Sequence, residues 1–330
     1  MKKRILSLIL ALSMVLSVLP LGAFAGSSLP ELVMKDGLPD TANMTATKNP
    51  NGDDVYIGHN WGYNATTKTL TLTDGEYNFS LAHPQTNKGR YTSQAVQCAI
   101  EIESGVTITG GIFSKTVTNN AGTIDNGTFN SMVENKVVRG ALGKIAGGAF
   151  YGTVTNNGTI SGGLFDETVT NKGIITAGAF YQKVENYSGG TISGGTFSTT
   201  VTNYSGGTIS VGTFKSSVIN EGTIKDGTFN GDVANRGTIK NGTFAADKEV
   251  TNSKTIENGT FNGEVRNHNG TISGGKFEKT VINNVSGTIS DGTFNKEVSN
   301  IIGTISDGTF NATVTNHGEG KSLVEPSRAQ

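Results

Sequence analysis

Residues 158–171 read Gly-Thr-Ile-Ser-Gly-Gly-Leu-Phe-Asp-Glu-Thr-Val-Thr-Asn, and this stretch decides the fold because the chain contains thirteen versions of it. The consensus over residues 105–316 is Gly-Thr-Ile-x-x-Gly-x-Phe-x-x-x-Val-x-Asn. Self-similarity at a nearly fixed period is the sequence signature of a repeat architecture. The intervals between the repeated phenylalanines are 15 to 17 residues, apart from one of 21, and the phenylalanines are Phe113, Phe129, Phe150, Phe165, Phe180, Phe197, Phe214, Phe229, Phe244, Phe261, Phe277, Phe294 and Phe310.

The spacing inside one unit predicts three short strands. The step from Ile160 to Phe165 is odd, and side chains alternate between the two faces of a strand, so a straight strand cannot turn both side chains inward. Gly-Gly, Asn-Gly or Asp-Gly lies between the two residues in eleven units, and these pairs suit a turn with positive φ. Further corners are expected after the phenylalanine and after Val-x-Asn. The sequence therefore predicts an all-β fold, a parallel β-solenoid (β-helix) of about 13 coils of 15–17 residues each.

A single coil is not expected to fold alone, because ordering its backbone costs more free energy than burying three apolar side chains returns. Stacked coils pair with two neighbours and place like residues above one another. We therefore expect ladders of Ile, Phe, Val and Asn, in which the inward Asn side chains satisfy polar groups from coil to coil. At roughly 4.8 Å per coil the stack forms a rod on the order of 60 Å long. The distance from each Asn to the next Ile varies, so we expect loops on one edge, the widest at residues 136–142.

The first residues carry a targeting signal. A basic start at residues 2–4, an apolar stretch at residues 5–19 and Ala-Phe-Ala at residues 23–25 predict a signal peptide, residues 1–25, cleaved after Ala25. The apolar stretch is shorter than the roughly 20 residues of a membrane span. We therefore expect an extracellular or cell-surface protein with no membrane span after cleavage.

Two segments flank the repeats. Residues 26–104 lack the repeat, start with a polar stretch and contain a strict alternation at residues 69–73, which predicts a half-buried strand. Because a solenoid needs its open end covered, we interpret this segment as an N-terminal β capping module. The C-terminal tail, residues 317–330, is short. The last coil is therefore expected to leave an open strand edge, and we expect either self-association through that edge or a truncated chain.

Two motifs lie within the capping module and at the start of the repeats. The first is Trp-x-Tyr-Asn-x-x-Thr-x-Thr-Leu-Thr-Leu at residues 61–72, and the second is Val-Thr-Ile-Thr-Gly-Gly at residues 106–111, with Ala-Ile at residues 99–100 between them. This order resembles the opening of exported β-helical surface proteins of Gram-positive bacteria, which are often described as carbohydrate-binding or adhesin-like. The resemblance implies a secreted or cell-surface setting and contact with extracellular glycans or with host or cell-surface components.

The composition excludes several classes of protein. The chain has 46 glycines in 330 residues, and glycine disfavours helices by roughly 0.5–1 kcal/mol relative to alanine. With only 6 prolines, it is not collagen-like either. The formal net charge of −1 gives no basic face for nucleic acid. Cys98 is the only cysteine and the four histidines are scattered, so neither a disulfide framework nor a His/Cys metal site is expected.

Acidic residues form one candidate site. Asp232, Glu249 and Glu264 each precede the Val of three consecutive coils, so the stack should place them roughly 4.8 Å apart. Such a column could hold Ca²⁺, and β-helical enzymes that cleave polysaccharides use acidic clusters, while glycoside hydrolases need two carboxylates at a defined gap. We favour a solvated charged face, because oxygen-ligand sites need six or more donors. We expect no cofactor.

Aromatic residues form the other candidate site. Tyr187 and Tyr204 follow the Asn of adjacent coils, so their rings are expected to stack on the loop edge. Together with Trp61 and Tyr63 of the capping module they are candidate carbohydrate-binding residues, because aromatic faces suit sugar rings. The alternative, which we favour, is that these rings form a packing ladder and the core of the cap, since tyrosine normally buries its ring and exposes only its hydroxyl.

The sequence thus favours a secreted or cell-surface structural or adhesive rod that contacts glycans and is not an enzyme. The alternative is a β-helical polysaccharide lyase or glycoside hydrolase. Ice binding ranks third. Thr precedes the Ile in eleven coils, and these outward threonines could form one flat row that binds ice. A second row, at the position after the Ile, is interrupted by the charged residues Lys225, Lys240 and Glu257.

Overall fold

A computed structural model describes residues 29–30, 32–79 and 95–322, and these residues form strands, turns and loops without any helix. Successive turns of the chain stack in register and form a parallel β-solenoid of about 14 turns, which confirms the predicted fold. The predicted signal peptide at residues 1–25 and the last eight residues of the predicted tail lie outside the described residues.

Each turn contributes strands to three parallel ladders, which we name the isoleucine, phenylalanine and asparagine ladders after their inward residues. The isoleucine ladder contains Val106–Gly110, Thr123–Ile124, Lys144–Ile145, Thr159–Ile160, Ile174–Ile175, Thr223–Ile224, Thr238–Ile239, Thr255–Ile256 and Thr304–Ile305. The phenylalanine ladder contains Ile112–Phe113, Thr128–Phe129, Ala149–Phe150, Leu164–Phe165, Ala179–Phe180, Thr228–Phe229, Thr243–Phe244, Thr260–Phe261 and Thr309–Phe310. One strand serves both ladders at Thr191–Phe197, Thr208–Phe214, Thr271–Phe277 and Thr288–Phe294.

The asparagine ladder runs along the third side of the solenoid. Its strands are Val117–Asn120, Val133–Val138, Val154–Asn156, Val169–Asn171, Val184–Asn186, Val201–Asn203, Val218–Asn220, Val233–Asn235, Val250–Asn252, Val265–His268, Val281–Asn284, Val298–Asn300 and Val314–Asn316. The predicted wide loop at residues 136–142 begins within one of these strands and folds into a hairpin, in which Ala141–Leu142 pairs back on Val133–Val138. The loop therefore leaves the ladder register of the following turns unchanged.

Inward side chains fill the solenoid without a break. The repeated Ile, Phe and Val residues are almost completely buried up to the last turn. From Phe113 to Phe310 the phenylalanine rings lie face to face, with successive centroids 4.5–4.9 Å apart and ring planes 5–10° from parallel. This separation equals the spacing of neighbouring strands. Each ring therefore marks one step along the axis.

Asparagine side chains form a continuous hydrogen-bonded column inside the solenoid. From Asn119 to Asn316, each Nδ2 donates to the Oδ1 of the next turn's asparagine over 2.7–2.9 Å. The same Nδ2 usually donates to a nearby glycine carbonyl as well, as at Asn171 and Gly173. At the start of the column, the Oδ1 of Asn119 has no partner because Ile102 occupies the equivalent position below it.

The corner between the isoleucine and phenylalanine strands requires glycine. The glycine two residues before each phenylalanine has a φ between +104° and +158° in all thirteen units. At Gly163, for example, a Cβ would also lie 3.2 Å from the Gly148 carbonyl oxygen and the Phe150 ring. Residues with side chains rarely adopt such φ values. The repeated glycine therefore fixes the corner that allows both Ile and Phe to point inward.

The capping module continues the solenoid at its N-terminal end. Thr69–Leu72, the predicted strand, pairs in parallel with Ala99–Ile102, which pairs with the first strand of the asparagine ladder. Gly75–Asn78 likewise pairs with the first isoleucine strand. These pairings add turns outside the thirteen repeats. The remaining strands of the module are antiparallel: Met34–Lys35 with Leu38–Pro39, and Thr47–Lys48, Asp54–Gly58, Trp61–Asn64 and Thr69–Leu72 in sequence.

The C-terminal end is only partly covered by the described residues. Lys321–Ser322 pairs in parallel with Thr304–Ile305 and so continues the isoleucine ladder. No described strand pairs with the outer edge of Val314–Asn316. Self-association through this edge stays a prediction.

Removing an asparagine from the middle of the column should destabilise the protein strongly. Asn203→Ala removes the acceptor of one N–H of the Asn186 amide, which keeps its bond to Gly190, and it leaves the Oδ1 of Asn220 buried without its donor. An unsatisfied buried polar group costs about 1–3 kcal/mol, so we expect the free energy of unfolding to fall by about 2–6 kcal/mol. The matched control, Asn316→Ala, removes one bond at the exposed end and should cost less than about 1 kcal/mol. Urea unfolding of both variants tests this, and equal losses would contradict it.

Cys98 reports on the junction between the capping module and the solenoid. The residue precedes Ala99–Ile102 and is buried, and burial raises the pKa of its thiol to about 12. Because the thiolate is the reactive form, we expect no reaction with a thiol reagent at pH 8 until urea unfolds the protein. A thiol at the exposed position 302 (Ile302→Cys) should react at once. Rapid modification of Cys98 in the folded protein would show that the junction opens.

Candidate functional site

The tyrosines on the loop edge form a closed cluster. The rings of Tyr187 and Tyr204 stack with centroids 4.6 Å apart and planes 20° from parallel, as the sequence predicts. Both hydroxyls donate to Glu185, over 3.3 and 3.4 Å. Lys183 pairs with the same carboxylate at 2.6 Å, and this hydrogen bond holds the pKa of Glu185 below its usual value. Lys172, one turn earlier, places its Nζ 5.7 Å from the Tyr187 ring centroid.

This arrangement satisfies the two tyrosines internally. Tyr187 lies between Lys172 and Tyr204, so neighbouring side chains occupy both faces of its ring. The hydroxyls of both tyrosines are engaged with a charged carboxylate. The geometry therefore resembles the packing ladder that the sequence offers as an alternative, and it leaves little of the Tyr187 ring for a sugar.

The two aromatic candidates of the capping module lie in its core. Trp61 is 2% exposed, and its Nε1 donates to the carbonyl oxygen of Pro30 over 3.0 Å. Tyr63 is 6% exposed and faces Leu70 across an antiparallel pair. Neither ring offers a face to solvent. The structure thus places Trp61 and Tyr63 in the packing of the cap, far along the chain from the tyrosines of the loop edge.

The acidic column is built around an arginine. Arg266 pairs through Nε with Glu249 at 2.9 Å and through Nη2 with Glu264 at 2.7 Å. Asp232 instead accepts a hydrogen bond from the backbone N–H of Glu249 at 2.9 Å. Within the described part of the chain, no group of three or more His, Cys, Asp or Glu residues could hold a metal ion. The guanidinium of Arg266 supplies the positive charge that a cation would bring to Glu249 and Glu264.

Two other tyrosines lie on an open surface. Tyr151 and Tyr181 directly follow inward phenylalanines two turns apart and are 54% and 48% exposed. Asp166 occupies the same position in the turn between them and is also exposed. Their side chains make no hydrogen bond or ion pair with another described residue. The sequence carries a signal for this surface, because the residue after the phenylalanine is small, polar or charged in all the remaining units.

The neighbouring column adds an apolar strip. Leu164 precedes the phenylalanine of the middle turn, is 51% exposed and lies between Ala149 and Ala179 of the adjoining turns. Most other units have Thr at this position, so apolar side chains collect at these three turns. We name this surface the tyrosine face and define it by Tyr151, Leu164, Asp166 and Tyr181.

The fold and its ladders define the chain as a parallel β-solenoid protein. Comparison with protein families, with curated proteins and with solved structures gives no match to this chain. Among the described residues, the structure has no helix that is long and apolar enough to span a membrane.

Proposed function

We propose that this protein is an exported structural or adhesive rod that works outside the cell and contacts glycans. The observation that carries the proposal is the unbroken register of thirteen repeat units, from Phe113 to Phe310, around a completely filled core. A filled solenoid holds outward side chains at fixed steps along one axis. Such a surface suits contact with an extended polymer.

Two features of the sequence support the setting. The basic start, apolar stretch and Ala-Phe-Ala of residues 1–25 are typical of a cleaved signal peptide. The motifs at residues 61–72 and 106–111 resemble those of β-helical surface proteins of Gram-positive bacteria. Both favour a secreted or cell-surface location.

Two features of the surface support glycan contact without cleavage. The tyrosine face exposes aromatic rings, which combine an apolar body with a polar hydroxyl and so suit sugar rings. The carboxylates of the acidic column, by contrast, are engaged by Arg266 and by a backbone N–H. A glycoside hydrolase needs one carboxyl group as acid and a second as base or nucleophile at the scissile bond. The column therefore favours a binding role over a catalytic one.

A glycan array separates the binding rod from the enzyme. We expect the labelled protein, starting at Gly26, to bind one or more extracellular glycans, because the exposed rings can stack on sugars. We expect neither reducing ends nor unsaturated products when the bound glycans are incubated with the protein. Product release would contradict the proposal and favour a lyase or hydrolase. If the protein binds none of the glycans on the array, the glycan-contacting role is contradicted.

A further inference from the structure

We infer that the tyrosine face binds an extended, neutral, β-1,4-linked glycan chain, laid along the axis of the rod. This inference rests on the proposed function and deepens it. The site differs from the stacked tyrosines of the loop edge.

The solenoid fixes the distance between the two rings. The backbone N–H groups of Tyr151 and Tyr181 donate to phenylalanine carbonyls of the preceding turns, over 2.8 Å in both cases. Beneath them, the Phe150, Phe165 and Phe180 rings are separated by successive steps of 4.8 and 4.7 Å. The two tyrosines therefore leave the sheet about 9.5 Å apart along the axis. Successive sugars of an extended β-1,4-linked chain are flipped, so that alternate sugars present the same face at about this repeat.

The groups between the rings suit a sugar. The carboxylate of Asp166 is exposed and makes no hydrogen bond or ion pair with another described residue, so it can accept hydrogen bonds from sugar hydroxyls. Leu164 supplies an apolar contact beside it. Ala149 and Ala179, on either side of Leu164, have short side chains that do not obstruct a chain laid along the axis. Tyrosine provides a large, rigid contact area at a low cost in conformational entropy. The backbone positions of these residues are therefore fixed before the ligand arrives.

Charge selects the class of glycan. Asp166 lies between the two tyrosines, and Glu167 follows it on the exposed surface. A uronic acid or a sulfated sugar would bring a negative charge against these carboxylates, and juxtaposed like charges disfavour binding. A neutral chain avoids this repulsion and can still donate its hydroxyl hydrogens. The ligand we expect is therefore a neutral glycan such as a β-1,4-linked glucose or N-acetylglucosamine chain.

The loop-edge tyrosines provide a matched comparison. Tyr187 and Tyr204 lie one turn apart and stack on each other, and their hydroxyls are engaged by Glu185. Tyr151 and Tyr181 lie two turns apart, with Asp166 in the turn between them, and their rings do not stack on each other. The same residue type therefore has opposite roles on the two surfaces. The spacing and the unengaged hydroxyls mark the tyrosine face as the binding surface.

Affinity measurements on double variants test the site. We expect the protein to bind cellohexaose or chitohexaose more tightly than the α-linked maltohexaose, whose chain curves away from a straight rod. Tyr151→Ala/Tyr181→Ala should weaken that binding about tenfold or more, because two stacking contacts are lost. Tyr187→Ala/Tyr204→Ala, the matched control, should change it less than about twofold. Titration calorimetry gives the affinities, and circular dichroism checks that the exposed substitutions preserve the fold.

A spacing variant separates ring distance from ring number. Tyr181→Ser combined with Ser198→Tyr keeps two exposed tyrosines but moves them from two turns apart to three. We expect this variant to lose affinity for the β-1,4-linked hexasaccharide as strongly as the double alanine variant. Affinity equal to that of the unmodified protein would overturn the inference.

The outcomes distinguish this inference from the function on which it rests. If the unmodified protein binds no glycan on the array, the proposed function fails, and the inference fails with it. If it binds a glycan and Tyr151→Ala/Tyr181→Ala binds equally well, the proposed function stands and the inference is overturned. Loss of binding in the Tyr187→Ala/Tyr204→Ala control alone would also overturn it and move the site to the loop edge.

Discussion

The column of inward asparagines is the constraint on which the rest of the structure depends. An amide buried without partners is costly, and each of these amides finds its acceptor in the equivalent residue of the next turn. Slipping one Val-x-Asn strand by one residue would turn both its valine and its asparagine outward. The column therefore fixes the register between turns. It also explains why insertions occur in loops, such as the hairpin of Ala141–Leu142, while Val-x-Asn keeps its spacing.

Register inside the solenoid determines what the surface can do. Every outward position becomes a column whose members are about one strand spacing apart. Glu249 and Glu264 lie in the column before the Val and Arg266 lies in the column after it, so the stacking of turns brings the three into an ion-paired group. On the loop edge, the same stacking brings the ring of Tyr187 onto that of Tyr204. In the column after the phenylalanine it holds Tyr151 and Tyr181 apart. The chemistry of each surface thus follows from which residue occupies the same position in successive units.

The fold could be predicted from the sequence because its main features are local to one unit. The odd step from Ile160 to Phe165 demands a corner, and Gly163 shows how that corner is made. The additional turns of the capping module could not be predicted from the repeat. Ile100 and Ile102 take the places of Val and Asn there, so the repeat pattern is lost although the strand pairing continues.

The candidate sites were less predictable, because they depend on contacts between different columns. Stacking of Tyr187 and Tyr204 follows from their position in adjacent units, but their bonds to Glu185 join two columns. Arg266 likewise lies in the column next to that of the acidic residues it pairs with. Trp61 and Tyr63 face the core because they pair with Leu72 and Leu70, a partnership set by the hairpin rather than by the repeat.

Distances between spin labels along one outward column test the solenoid most directly. Thr155, Thr251 and Ser299 occupy the position between Val and Asn, and six turns separate the first two while nine separate the first and third. Labelled cysteines at 155 and 251 should lie roughly 29 Å apart, and those at 155 and 299 roughly 43 Å apart. Distances that increase with the number of turns in this way are the predicted result. Similar distances for the two pairs would contradict the stacked rod.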